Sequence, residues 1–289
     1  IYTLANALGQ VGIHGGGTGG REGYFWPLTS WFPAGDNPIE TQISNFSWSD
    51  AIDHGPEMTA RNAGVRGADR LKTGIKFMVE FGGNMLASQH GDNGALRELL
   101  RDDEKCEFIC VIDNQMTGSC ELADLVLPDT TTAERWDLIP SEYTGDMAYL
   151  IMAEPAIEPL HDSKPGYDIF AGIAEKLGIK EQYTEGRTLE DWARYLYEEE
   201  HRKAVPTLPP FDEFREVGVH RYYADMANPA AGTHVSLKDF RDDPSANPLD
   251  TPSGKIEIFS KDLHELAKQW EFPDGRKGDR ITALPEYVA

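Results

Sequence analysis

The sequence predicts an α/β fold: a mostly parallel sheet with helices on both faces, plus irregular and helical extensions. Three observations predict it. From Ala68 onward, short apolar runs alternate with helical patterns, as βαβ units require. One run, Phe108-Ile109-Cys110-Val111-Ile112, is almost unbroken in apolar residues, the pattern of a strand buried on both faces. The runs also stop on turn residues, at Gly82-Gly83-Asn84, at Asp113 and at Pro128.

Taken in order, Ile1, Leu4, Ala5 and Leu8 sketch a short helix that runs into glycines at Gly9, Gly12 and Gly15-Gly16-Gly17, which can supply a left-handed stop. The rest of segment 1–67 is rich in Gly, Trp, Phe and Pro and weak in periodicity, and is expected to be loop belonging to a neighbouring domain. Segment 68–180 carries the sheet. Strands are expected at Ile75–Phe81, Phe108–Ile112, Ala123–Pro128 and Tyr149–Met152. Helices are expected at Asn93–Leu100 and Asp168–Leu177, the second closed by Gly178. Segment 181–289 reads as an extension. Thr188 caps a helix to about Glu200, with Glu190 and Asp191 in the first turn where the helix dipole favours them. A Pro-rich link at Pro206–Pro210, an irregular stretch to Pro252, a strand Lys255–Phe259 and a helix Lys261–Trp270 complete it.

Composition limits the partners. With 49 acidic against 27 basic residues the formal charge is −22, which argues against nucleic acid. No apolar run approaches the roughly 18 residues that span a bilayer, so no direct membrane insertion is expected. Ile1 opens within a helical pattern and Ala289 follows a Pro-containing tail, so the expectation is a segment of a longer polypeptide. Cys106 and Cys110, if both lie on a strand, sit about 13 Å apart, too far to bridge. Together with Cys120 they read as buried or half-buried thiols.

In a parallel sheet, ligands bind beyond the carboxyl ends of the strands. Two such ends stand out. Gly82-Gly83-Asn84 lets backbone approach a ligand and offers an amide, or is simply a turn. Asp113 directly after a strand suits a ribose hydroxyl or purine edge, or caps a helix. His14 and His90 lie near the glycine-rich segments and either line a funnel or face solvent. The stretch Gly15–Gly20 is glycine-rich but opens no helix.

The third strand end is more specific. Ala123-Asp124-Leu125-Val126-Leu127-Pro128-Asp129-Thr130-Thr131-Thr132-Ala133-Glu134-Arg135 runs from an apolar strand into proline, hydroxyl residues and an acid–cation pair. It resembles a signature of the dimethyl sulfoxide reductase family of molybdopterin oxidoreductases. Three more phrases agree in order and spacing: Leu8-Gly9-Gln10-Val11-Gly12, Val111-Ile112-Asp113 with Met116-Thr117, and Thr251-Pro252-Ser253-Gly254-Lys255-Ile256-Glu257. The resemblance covers nearly the whole chain. The wording of Phe81–His90 and Asp113–Thr117 is similar to catalytic subunits of membrane-associated anaerobic dimethyl sulfoxide reductases.

The resemblance implies a Rossmann-like domain over 68–180 that binds molybdopterin guanine dinucleotide, two to each molybdenum (the bis form). Gly83, Asn84 and Ser88 then line the cofactor at the first strand end. Ile112 and Asp113 meet the guanosine at the second, and Arg135 offers a cation, unless it pairs with Glu134 or Asp137. Many relatives carry an Asp where this chain has Gly166. Here the Gly166 backbone serves, or Asp168 or Lys164 takes the role, or the contact is absent; Asp168 also reads as a helix start.

The molybdenum ligand and the cysteines of a 4Fe-4S cluster belong upstream in the family pattern, and a closing barrel belongs downstream. No catalytic or metal-ligating residue is therefore assigned, and the segment alone is expected to be inactive. The implied activity is anaerobic respiration by reduction of dimethyl sulfoxide or a related S- or N-oxide. Its implied partners are an iron–sulfur electron-transfer subunit and a membrane anchor subunit, on the extracytoplasmic (periplasmic) face of a bacterial membrane. Nitrate, selenate or formate is the alternative substrate within the family. A non-catalytic nucleotide-binding domain is the alternative outside it, although no Gly-x-Gly-x-x-Gly follows the first strand and no Walker loop occurs.

Overall fold

The computed structural model describes residues 2–17, 32–140, 147–223, 235–272 and 279–287. In chain order the elements are α1 (Tyr2–Ala7), α2 (Trp48–His54), β1 (Phe77–Phe81), α3 (Met85–Ser88), α4 (Asn93–Leu100), β2 (Phe108–Asp113), β3 (Leu125–Pro128), β4 (Asp137–Pro140), β5 (Met147–Ala153) and α5 (Gly166–Lys176). They continue as α6 (Lys180–Thr184), α7 (Leu189–Leu196), a π turn (Tyr197–His201), α8 (Arg202–Ala204), α9 (Phe211–Val217), β6 (Val219–Tyr223), α10 (Lys238–Asp242) and α11 (Lys261–Ala267). Two units emerge. One comprises Trp31–Leu138 and Met152–Glu200; the other comprises Ile1–Ser30, Ile139–Ile151 and His201–Ala289.

The first unit is built on the parallel sheet β1-β2-β3, the α/β architecture the alternation predicts. Residue alternation on β2 sends Ile109 and Val111 to one face, where Trp48 of α2, Leu86 of α3, Leu96 of α4 and Leu122 close a core. Each fully buried aliphatic side chain there contributes about 1.5–3 kcal/mol. Residues on both sides of position 67 thus share one core, because Trp48 and Ile52 pack into it. Asp124 has a structural task at the mouth of β3. Its Oδ2 accepts the Ile109 N–H at 2.7 Å while its own N–H donates to the Ile109 carbonyl at 2.9 Å. The opposite sheet face meets α5, where Phe81 stands edge-on to Phe170 with centroids 5.9 Å apart.

Several boundaries move by a physical cause. The helix expected from Asp168 begins at Gly166, since Pro165 at its N-cap has no N–H to leave without an acceptor. Thr188 caps α7 as expected, its hydroxyl accepting the Asp191 N–H while the Asp191 carboxylate accepts the Thr188 N–H. Its tail widens into the π turn before Glu200 is passed. Cys106 precedes β2 rather than lying on it. All three cysteines are free and buried, and burial pushes the Cys106 and Cys110 thiols up.

A second sheet, β4-β5-β6, falls mostly in the second unit, with β5 and β6 antiparallel and Ile151 facing Val219 in register. The strand expected at Tyr149–Met152 therefore exists, but in this second sheet and not in the parallel one. The stretch expected to be irregular up to Pro252 contains α9, β6 and α10. α9 starts after Pro210 and stops on Gly218 at φ 76, a helix flanked by Pro and Gly. Lys255–Phe259 forms no strand: it has no ladder partner among the described residues, and Ile256, Ile258 and Phe259 stay exposed. Arg241 of α10 donates to the carbonyls of Gly9 and Val11 at 2.9 and 2.7 Å, tying the glycine-rich opening down. Part of the Gly15–Gly20 stretch lies outside the described residues.

Candidate functional site: three strand ends in a row

Register sets the site. Phe81, Ile112 and Leu127 are cross-strand partners, so the chain leaves the sheet at Gly82, Asp113 and Pro128 side by side. That row is where α/β sheets bind ligands.

At the first end, Gly82 holds φ 62 and donates its N–H to the Ile112 carbonyl at 2.9 Å. A side chain added at Gly82 would meet nothing within 4 Å, so open space lies beside bare backbone. Buried Glu80 accepts the N–H groups of Met85 and Leu86, fixing the start of α3. Asn84 precedes that helix. Its Oδ1 accepts both the N–H (3.0 Å) and the hydroxyl (3.1 Å) of Ser119, a residue of the second loop. The Asn84 amide nitrogen keeps its donors unengaged among the described residues. Ser88 is exposed and returns its hydroxyl to the Asn84 carbonyl at 2.5 Å.

At the second end, Ile112 is fully buried and its carbonyl is taken by Gly82. Asp113 is half-buried and uses Oδ1 to accept the Gln115 N–H at 3.0 Å, an Asx turn that leaves Oδ2 open among the described residues.

The third end is a network. Asp129 accepts the Gly166 N–H at 2.8 Å and the Thr130 N–H at 2.8 Å through Oδ1, and Arg135 Nη1 through Oδ2 at 3.2 Å. The same Nη1 donates to the Thr130 carbonyl at 2.9 Å. Asp137 lies looser, 3.8 Å from Arg135 Nε, and burial raises its pKa against the pull of Arg135. Glu134 does not pair with Arg135. It accepts the N–H and hydroxyl of Thr131 and the N–H of Leu160, each at 2.7 Å. The Thr131 hydroxyl, then the Thr131 and Leu160 backbone, hold the Glu134 carboxyl below the usual range. The Thr130 hydroxyl is buried without a partner.

Gly166 lies under the Phe81 ring: a Cβ there would sit 2.5 Å from the ring's outer edge, which would have to shift. Lys164 hydrogen-bonds through its backbone to the Pro128 carbonyl at 3.1 Å. Asp168 stands in the first turn of α5; partial burial raises its pKa, opposed by Lys164 and Lys180. A cleft of about 1000 Å³ runs beside this end, lined in part by Arg135, Lys164, Pro165 and Asp168.

The sheet therefore brings Gly83, Asn84, Asp113, Arg135 and Gly166 to one edge. Ile112 sits beneath them, and Ser88 stands on the outer surface of α3. His90 packs against the Trp48 ring, centroids 5.1 Å apart, and His14 is exposed. Sequence reasoning missed Asp129 and Ser119 as the ties between loops; an Asp directly after a strand-ending proline was the available signal. Free amide donors, one open carboxylate oxygen, a guanidinium and bare glycine backbone form a donor set that suits a nucleotide-like group. Among the described residues no cluster of His, Cys, Asp and Glu is placed to hold a metal ion, and no helix is long and apolar enough to cross a membrane.

These strand ends carry the motifs of a recognised class. Residues 1–176 match the molybdopterin oxidoreductase family, and the chain belongs to it, a family whose cofactor is molybdenum held by molybdopterin. The chain is 46% identical to dimethyl sulfoxide reductase DmsA of Escherichia coli (strain K12), across 100% of this chain and 34% of that protein. It is 44% identical to dimethyl sulfoxide reductase DmsA of Haemophilus influenzae, across 99% of this chain and 34% of that one. Against the dimethyl sulfoxide/trimethylamine N-oxide reductase of Cereibacter sphaeroides the identity is 32%, across 100% and 37%. The chain thus spans about a third of the length of these curated relatives.

Proposed function

We propose that this chain is the cofactor-holding segment of a molybdenum oxidoreductase catalytic subunit, gripping molybdopterin in its guanine dinucleotide form. The parent enzyme reduces dimethyl sulfoxide or a related S- or N-oxide. The observation that carries the reading is the row of strand ends, with Gly82, Asp113 and Pro128 leaving the sheet side by side.

Each residue has a chemical task in this reading. Gly82 leaves open space for the ligand, while the Gly83 backbone and the Asn84 amide donors receive diphosphate oxygens, which an acidic chain must hold with dipoles and few cations. The open Oδ2 of Asp113 accepts ribose hydroxyls. Arg135, anchored through Nη1, keeps Nη2 for phosphate or a base edge. A bound molybdenum–pterin centre supplies oxygen-atom transfer and two-electron chemistry. The substrate class is supported by the names of the relatives. The 4Fe-4S cluster upstream in the parent chain, the iron–sulfur and membrane anchor subunits, and the periplasmic location rest on the family resemblance.

Asp113→Ala in the full parent chain, prepared anaerobically, tests the reading. Its unfolding midpoint should stay near the wild-type value while retained guanine nucleotide falls about tenfold, the size of one lost charge-assisted contact. Equal retention makes Asp113 a turn residue only and removes its part in the reading.

A further inference from the structure

We propose that Asp129 is a positioning residue: its single carboxylate locks Arg135 and Gly166 into one rigid edge, so that cofactor binding at the third strand end depends on Asp129 through Arg135. This rests on the reading above and deepens it.

Asp129 is the residue where three loops converge. Its N–H donates to the Asp113 carbonyl at 3.1 Å, joining it to the second strand end. Oδ1 reaches across 37 residues to the Gly166 N–H, and Oδ2 turns to Arg135. Its side chain is only 9% exposed, so these bonds form away from competing water and gain strength accordingly. An isolated parallel backbone β-bridge between Asp129 and Lys164, with the Lys164 N–H donating to the Pro128 carbonyl, lays the two loops alongside each other.

Two further facts give the carboxylate its consequence. Position 166 carries no side chain, and the outer edge of the Phe81 ring lies over its Cβ site. That edge is therefore shaped from outside, by the bond to Asp129. Arg135 has its Nη1 committed inward to Asp129 and to the Thr130 carbonyl, which leaves Nη2 without a hydrogen-bond partner among the described residues. An arginine held along one edge loses little further rotamer freedom when the other edge takes a ligand. Without Asp129, the guanidinium has a competing acid at hand: Asp137, already 3.8 Å from Nε. The released cation pairs there and is lost to an anionic ligand.

The test uses the full parent chain, purified anaerobically as wild type, Asp129→Asn, Arg135→Ala and the double variant. Each is read for molybdenum, for guanine nucleotide released by acid hydrolysis, and for unfolding midpoint. Asn keeps an oxygen for the Gly166 and Thr130 N–H groups, so Asp129→Asn should unfold near the wild-type midpoint. It should nevertheless retain about tenfold less nucleotide, and Asp129→Glu should restore part of that retention. In the double variant the loss should equal that of Arg135→Ala alone, because Asp129 acts through Arg135. Losses that multiply in the double variant, or an Asp129→Asn chain as fully loaded as wild type, overturn the inference. A folded wild-type parent chain free of both molybdenum and guanine nucleotide overturns the underlying reading and the inference with it.

Discussion

The first and third strand ends solve the same problem by opposite means. At the first, the chain removes side chains: Gly82 opens onto space, and Asn84 turns its oxygen inward while its donors stay unengaged. At the third, the chain adds charge and then neutralises it, with Asp129 on Arg135 and Glu134 on Thr131 and Leu160. One end is receptive because little is there; the other is rigid because its polar groups are nearly all engaged. Preorganised binding needs both, since free donors without a fixed frame lose ordering entropy when a ligand arrives.

The largest effects expected from disturbing the frame are at Gly166 and Asn84. Gly166→Ala brings a methyl group against the outer edge of the half-exposed Phe81 ring, which must swing aside, and should destabilise the parent chain by about 1–2 kcal/mol in urea unfolding, the lower part of the range for overpacking. Phe81→Leu in the same chain should recover part of it. If Gly166→Ala is neutral, the third end is softer than its hydrogen bonds imply.

Asn84 separates frame from reception at the first end. Asn84→Ala leaves the buried Ser119 N–H without an acceptor and should cost about 1–2 kcal/mol. Asn84→Asp keeps that acceptor but has no donors. It should unfold near the wild-type midpoint and yet bind the cofactor more weakly, measured as retained guanine nucleotide. Equal retention would show that the first end works through backbone alone.

The smallest effect is a pH response confined to the third end. The Glu134 pKa is lowered in the folded chain, so its contribution is present above the ordinary glutamate range and fades as pH falls through the depressed value. Thr131 and Leu160 donate their N–H groups to it. Their hydrogen exchange, corrected for intrinsic rates, should therefore quicken on acidification below pH 4.5, and Glu134→Gln should abolish that dependence. Exchange that stays flat would mean that the carboxylate is not what holds the turn.

How much of this was legible in the sequence follows from the range of each interaction. The continuous apolar run at Phe108–Ile112 announces a doubly covered central strand, and turn residues mark where the three strands stop. Those signals are local, and the site's location follows from them. Only the looser partner of Arg135, Asp137, was legible; the tighter one was not, because the backbone turns so that Asp129 faces the guanidinium while Glu134 faces Thr131. The glycine at 166 reads as a lost side chain, and only the fold shows that the Phe81 ring lies over its Cβ site. The strand at Tyr149–Met152 was visible, but its antiparallel partner Val219–Tyr223 lies some seventy residues away, beyond any periodic signal.

One measurement bears most directly on the central claim that these strand ends grip molybdopterin as its guanine dinucleotide. The full parent chain, purified anaerobically and shown to be folded, is assayed for molybdenum and for guanine nucleotide after acid hydrolysis. Two guanine nucleotides per molybdenum is the predicted result, whereas molybdenum without guanine nucleotide, or neither of them, would contradict the account.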